Sequence, residues 1–191
     1  MSLRLSGGRK LQSPPGSVAR PTPSRVRLAV MNMLAAELPG ALWLDLFCGS
    51  GVMGCEALQK GAAAVVAVDQ DRRMQATTRS NLQAVARGLP QPVPVEVVAQ
   101  DVLRWLGAGA QQRCSGSPMA QGFDLIYADP PYSAGLYGTV AAAVADGSWL
   151  KPGGLMIWEH ATAIQPEIPS GWMAVKHKRY GTSSVLMLQQ S

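Results

Sequence analysis

The chain has 191 residues, of which 47% are apolar and 15% are charged, and its formal net charge is +5. This length and apolar content predict one soluble α/β domain, and no apolar run reaches the roughly 18 residues that a membrane span requires. The three cysteines form neither a Cys-x-x-Cys pair nor a metal-ligand spacing with the two histidines, which excludes a disulfide framework, argues against a structural metal and favours a cytoplasmic location.

Residues 1–23 form a basic N-terminal arm. Six of the 17 basic residues occur before Glu37, the first acid, whereas the other 11 accompany 12 acidic residues. The arm is rich in Pro and Gly, lacks periodicity and lacks the apolar core of a secretory signal, so we expect it to be extended and to bind phosphates. A solubilising tail is the alternative. The candidate RNA-binding residues are Arg4, Arg9, Lys10, Arg20, Arg25 and Arg27.

A single domain is predicted for residues 24–191, beginning with a helix. Ser24 is suited to cap a helix that runs from Arg25 to about Glu37. A buried strand follows at residues 41–47, and it leads into a glycine-rich loop.

The glycine-rich loop has the spacing G-x-G-x-x-G, formed by Gly49, Gly51 and Gly54. Glycines at this spacing allow a tight turn and let a ligand lie against the backbone, as in dinucleotide-binding proteins. The spacing alone does not distinguish a dinucleotide from another adenosine-bearing cofactor. However, Asp45 lies four residues before Gly49, where it suits an ammonium group better than a pyrophosphate.

Two further acids follow the next two predicted strands. Residues 64–68 end at Asp69, which is placed to bind ribose hydroxyls, and residues 93–99 end near Asp101, which is placed to accept from an adenine amino group. Either acid has an alternative role as the cap of the helix that follows it, and Asp71 is interpreted as such a cap. An ammonium, a ribose and an adenine partner together indicate S-adenosylmethionine as the cofactor.

A short motif follows the apolar run at residues 123–128. Asp129, Pro130, Pro131 and Tyr132 place a carboxylate, a stiff loop with free carbonyls and an aromatic ring at the end of a strand. Such a loop suits a planar substrate with an amino group, because the acceptors bind the N–H groups and the ring stacks on the face. The alternative is a simple turn that ends the strand.

The remaining elements complete a sheet. Residues 107–122 are interpreted as a loose insertion, 135–145 as a helix and 154–159 as a fifth strand. A closing hairpin is expected from residues 172–180 and 183–188. Strands that alternate with helices predict a parallel sheet, in which the hairpin requires one antiparallel strand.

The two motifs resemble those of known enzymes. The segment from Asp45 to Gly51 is similar to the cofactor motif of class I S-adenosylmethionine-dependent methyltransferases, and the motif at Asp129 is similar to that of amino methyltransferases. The run from Arg20 to Arg27 resembles the bacterial small-subunit ribosomal RNA guanine-N2 methyltransferases, although Leu28 stands where that family usually has Glu.

This resemblance implies an α/β Rossmann-like three-layer sandwich with a mostly parallel, seven-stranded sheet and one antiparallel strand. It implies that the loop, including Phe47, binds the cofactor and that residues 129–132 are catalytic. The expected reaction methylates a guanine N2 amine in 16S ribosomal RNA, free or in the assembling small subunit, by a monomeric enzyme. The rivals are an adenine-N6 methyltransferase, an NAD-dependent oxidoreductase and a non-catalytic RNA-binding protein.

Overall fold

A computed structural model describes residues 3–13, 22–131 and 135–191 of the chain. Its centre is a seven-stranded sheet with the order β3-β2-β1-β4-β5-β7-β6. Within the described sheet, β7 runs opposite to the other six strands, which confirms the predicted fold. The strands are β1 (Leu42–Leu46), β2 (Ala64–Asp69), β3 (Val95–Ala99), β4 (Phe123–Ala128), β5 (Leu150–Ala161), β6 (Trp172–Tyr180) and β7 (Ser183–Gln190).

Helices cover both faces of this sheet and create two apolar cores. The helices are α1 (Ser24–Met33), α2 (Val52–Gln59), α3 (Arg72–Ala86), α4 (Val102–Leu106), α5 (Ala110–Arg113) and α6 (Tyr137–Asp146). The first three pack on one face and the last three on the other. Strand β1 is buried along its whole length because it lies between β2 and β4. Among the described residues, we find no helix with the length and apolarity of a membrane span.

Two local predictions are wrong in detail. Helix α1 begins at Ser24 itself, after Pro23, so Ser24 makes no side-chain cap, and the helix ends at Met33. Residues 107–122 are not a loose insertion, because they form α5 and a short 3₁₀ helix that Ser117 caps through the Met119 N–H.

The first described segment, residues 3–13, is folded onto the domain. Leu3, Leu5 and Leu11 are buried in the same core cluster as α1 and α2. A turn closed by Leu5 and Arg9 brings the segment back on itself, and the Leu5 N–H donates to the Arg9 carbonyl at 2.9 Å. The expectation of an extended segment is therefore wrong for these residues.

Candidate active site

A cleft of about 780 Å³ opens where β1, β2, β4 and β5 end. This is the edge at which ligands bind in open α/β sheets, because the strand order reverses beside β1. Arg25 is the one basic residue among the described residues that line the cleft. The acidic lining residues are Asp45, Asp69, Asp71, Asp129 and Glu159.

The glycine-rich loop forms the floor of the cleft beside α2. Phe47 enters the loop with a φ of 60° and Gly51 leaves it with a φ of 72°, in the left-handed region that most side chains avoid. At Gly51 a Cβ atom would lie 2.8 Å from Thr78 Cγ2, and at Gly54 it would lie 2.9 Å from Val65 Cγ1. The loop therefore needs its glycines for backbone shape and for close contact of α2 with the sheet.

Asp45 is buried at the end of β1 and lines the cleft. Its Oδ2 accepts the Gly54 N–H at 3.0 Å, which ties the strand to the start of α2. Burial raises the pKa of Asp45 to about 8, and the nearby carboxylate of Asp69 adds to the shift. A group with this pKa gains from a bound cation, which fits the predicted ammonium partner.

Asp69 organises the loop from the end of β2. Its Oδ2 accepts the Gly49 N–H at 2.8 Å, and its Oδ1 accepts the Asp71 N–H at 2.8 Å. The cap of α3 is Asp71, which accepts the Arg73 N–H, so the predicted capping role of Asp71 is confirmed. Asp69 lies in the cleft where a ribose contact was predicted, and that contact stays a prediction.

Asp101 lies outside the described lining of the cleft. It is exposed, and its Oδ1 accepts the Arg104 N–H at 2.9 Å as the N-cap of α4. The capping alternative is thus the role that the structure shows. The contact of Asp101 with adenine stays a prediction.

Asp129 and the two prolines line the cleft beyond the end of β4. Burial raises the pKa of Asp129 to about 8, followed in size by repulsion from Glu159 and from Asp45. Tyr132, the aromatic member of the motif, lies outside the described residues. The structure thus brings the carboxylate of the predicted catalytic motif into the cleft that contains Asp45 and Asp69.

Glu159 is a buried member of the cleft that the sequence analysis did not select. Its Oε2 accepts the Tyr127 O–H at 2.5 Å, and the hydroxyl groups of Ser183 and Thr22 lie close enough to act on its pKa. Burial raises its pKa, whereas these three donors oppose the shift. A signal was present in the sequence, since Glu159 ends an apolar strand as Asp45 and Asp69 do.

Arg27 is not available to bind RNA. Its side chain is buried and its Nε lies 3.3 Å from Glu56 Oε1. Its Nη1 donates to the Thr22 carbonyl at 2.8 Å and its Nη2 donates to the Arg4 carbonyl at 2.6 Å. The predicted RNA contact of Arg27 is wrong, because this side chain instead joins α1, α2 and the first segment.

The other basic candidates differ in their surroundings. Arg4 and Lys10 are exposed and adjacent, since their backbones pair as an antiparallel bridge. Arg9 is exposed but donates to the Ala84 carbonyl at 3.0 Å, near the end of α3. Arg25 borders the cleft, where its Nη2 donates to the Tyr180 carbonyl at 2.8 Å. Arg20 lies outside the described residues.

The fold and the cleft together define a class I S-adenosylmethionine-dependent methyltransferase: a sheet with β7 reversed, a glycine-rich loop after β1 and acids at successive strand ends. Comparison with known proteins narrows the assignment. The chain belongs to the family described as "Conserved hypothetical protein 95", whose profile matches residues 5–189.

Named relatives and a solved structure agree with this class. The chain is 30% identical over 193 residues to "Ribosomal RNA small subunit methyltransferase D" of Escherichia coli strain K12, covering 98% of this chain and 90% of that protein. It is 29% identical over 184 residues to "Putative rRNA methyltransferase YlbH" of Bacillus subtilis, covering 96% and 94%. The structure of "Putative methyltransferase yhhF from Escherichia coli" superposes with a TM-score of 0.80 at 28% identity, covering 100% and 98% of the two chains.

Proposed function

We propose that this protein transfers the methyl group of S-adenosylmethionine to the N2 amine of a guanine in 16S ribosomal RNA. The observation that supports this most directly is that Asp129 and Pro130 share one cleft with Asp45 and Asp69. An amine-binding motif and a cofactor-binding edge therefore face the same space. The relatives named as ribosomal RNA methyltransferases support the RNA part of the proposal.

The cleft fits a cationic cofactor. Its acids outnumber its single described basic residue, and two of the acids, Asp45 and Asp129, have pKa values of about 8. S-adenosylmethionine supplies an electrophilic methyl group on a positively charged sulfur and carries an ammonium group as well. Asp45 would hold the ammonium group, Asp69 the ribose hydroxyls, and the backbone around Gly49 would lie against the ligand.

Asp129 and the Pro130 carbonyl would carry the positioning of the amine. The lone pair of a guanine amine is delocalised into the ring, so the amine is a weak nucleophile. Two acceptors that bind both N–H groups orient that lone pair, and orientation contributes much of the rate in such transfers. Asp129 would then take the proton that the methylated amine releases, because its pKa of about 8 lies near neutral pH.

RNA binding would use the basic groups that remain exposed. Arg4 and Lys10 form an adjacent pair on the first segment, and Arg25 stands at the mouth of the cleft. Tyr132 would stack on a base that has left its helix. Within this proposal residues 1–23 serve as an RNA-binding arm of a single domain, residues 24–191. The enzyme acts in the cytoplasm as a monomer, on free 16S RNA or on the assembling small subunit.

The test is Asp129→Ala. We expect it to bind S-adenosylhomocysteine as the wild type does but to lose methyl transfer by at least about a hundredfold, the scale of a positioned acid–base group. The assay transfers labelled methyl groups to undermethylated small-subunit RNA or particles and identifies the labelled nucleoside. Asp146→Ala is the control, because Asp146 is an exposed carboxylate at the end of α6.

Each rival function has a distinct outcome in these assays. Label in N6-methyladenosine instead of N2-methylguanosine would favour the adenine-N6 methyltransferase. Binding of NAD without binding of S-adenosylhomocysteine would favour the oxidoreductase. Full activity of Asp129→Ala would contradict the proposed mechanism.

A further inference from the structure

Glu159 is buried, and burial of a carboxyl group destabilises a fold because the group loses its hydration. Its side chain is 1% exposed, and no described basic residue pairs with it in a salt bridge. It is instead surrounded by the hydroxyl groups of Tyr127, Ser183 and Thr22. A buried carboxyl group without a salt-bridge partner indicates a role in the cleft that it lines.

The register of the sheet places Glu159 beside Asp129. In the parallel pair of β4 and β5, Tyr127 lies beside Ile157 and Ala128 lies beside Trp158. One further step along both strands brings Asp129 beside Glu159. Because side chains alternate between the faces of a sheet, both carboxyl groups project to the face that Tyr127 and Ile157 occupy.

The hydrogen-bond capacity of Glu159 is not exhausted. An ionised carboxylate offers about four lone-pair sites, and three hydroxyl groups surround this one. Burial raises the pKa of Glu159, and the hydroxyl donors oppose that shift by stabilising the ionised form, which accepts hydrogen bonds and donates none. One further N–H donor can therefore be accepted from the cleft.

Among the amino-bearing bases, guanine alone carries an N–H next to the amine on the same edge. In adenine and cytosine the ring nitrogen beside the amine carries a lone pair instead. A second carboxylate beside an amine acceptor thus attracts guanine and repels the other two bases. We propose that Glu159 accepts the N1–H of the target guanine while Asp129 accepts from its N2 amine, which makes Glu159 the residue that selects the base. This inference rests on the proposed function.

The experiment removes the N1 hydrogen from the base and the negative charge from Glu159, separately and together. The wild type and Glu159→Gln are assayed with two RNAs, made by ligating a synthetic segment around the mapped target position. One RNA contains guanosine there, and the other contains 2-aminopurine, which keeps the N2 amine but lacks the N1 hydrogen and O6. Any contact to O6 is lost equally in both enzymes. The difference between the two enzymes in their preference for guanosine over 2-aminopurine therefore measures the contact between Glu159 and the N1 hydrogen.

We expect the wild type to prefer guanosine and Glu159→Gln to lose at least about tenfold of that preference in kcat/KM, the scale of a hydrogen bond to a charged group. Asp69→Asn is the matched control, because it makes the same change in the cofactor half of the cleft. It should weaken cofactor binding and keep the preference between the bases.

The outcomes separate the inference from the function on which it rests. If the wild type forms no N2-methylguanosine, the proposed function fails. If the wild type forms it and the preference is the same in both enzymes, the role of Glu159 fails alone. Should Glu159→Gln transfer no methyl group to either RNA, the same comparison is made from the Kd values of both RNAs with the S-adenosylhomocysteine complex, and an equal preference there overturns the inference.

Discussion

Replacing Asp45 by asparagine should make the protein more stable at alkaline pH. The folded chain holds the pKa of Asp45 at about 8, against 3.8 in the unfolded chain. The folded state thus keeps a proton that the unfolded state has released, so the free energy of unfolding falls as pH rises from about 4 to 8. Asparagine removes this titration, while its amide oxygen still accepts the Gly54 N–H.

The size of the effect follows from the same pKa values. Each tenfold change in proton affinity corresponds to about 1.4 kcal/mol, so an ionised Asp45 destabilises the fold by at most roughly 6 kcal/mol. Water that enters the cleft reduces this cost. We expect Asp45→Asn to gain roughly 2 to 4 kcal/mol relative to the wild type between pH 5 and pH 8.5.

The assay is urea denaturation of both proteins at several pH values in that range, without cofactor. Asp146→Asn is the control, because its side chain is exposed and should leave the pH dependence unchanged. If the stability of Asp45→Asn and of the wild type falls in parallel as pH rises, then burial does not raise the pKa of Asp45 and the reasoning is refuted.

Two other predictions concern charges that the fold buries. Binding of S-adenosylmethionine at pH 7 should release protons, because a cation lowers the pKa of both Asp45 and Asp129. Calorimetry in buffers of different ionisation enthalpy measures the number of protons released, and a binding heat that is independent of the buffer would contradict the prediction. Arg27→Met should lower the free energy of unfolding by about 3–5 kcal/mol, because it leaves Glu56 buried without its partner. Adding Glu56→Leu should recover most of that loss in urea denaturation, and a double variant as unstable as the single one would refute the explanation.

The sequence predicts those parts of the site that depend on local chemistry. The G-x-G-x-x-G spacing indicates a loop because glycine allows a tight turn, and Gly51 indeed has a φ of 72°, in the left-handed region that most side chains avoid. Acids at the ends of apolar strands likewise predict a shared edge, because parallel strands all end on the same side.

Long-range pairing explains what the sequence did not predict. Arg27 belongs to a basic run that predicts RNA contacts, but its partner Glu56 lies 29 positions away on another helix. Glu159 gains its place beside Asp129 only once β5 pairs with β4. Asp101 is a different case. An acid between a strand and a helix can either bind a ligand or cap the helix, and the local sequence pattern does not decide between these roles.

The position of β1 in the middle of the sheet affects how the chain folds during synthesis. Its neighbour β4 lies about 80 residues later, as the hydrogen bond from the Leu42 N–H to Asp124 Oδ2 shows with its separation of 82 residues. At roughly 5–20 residues per second, translation leaves β1 as an uncovered apolar edge for about 4–16 s. Such an edge recruits other strands, so we expect the nascent protein to depend on chaperones until β4 emerges from the ribosome.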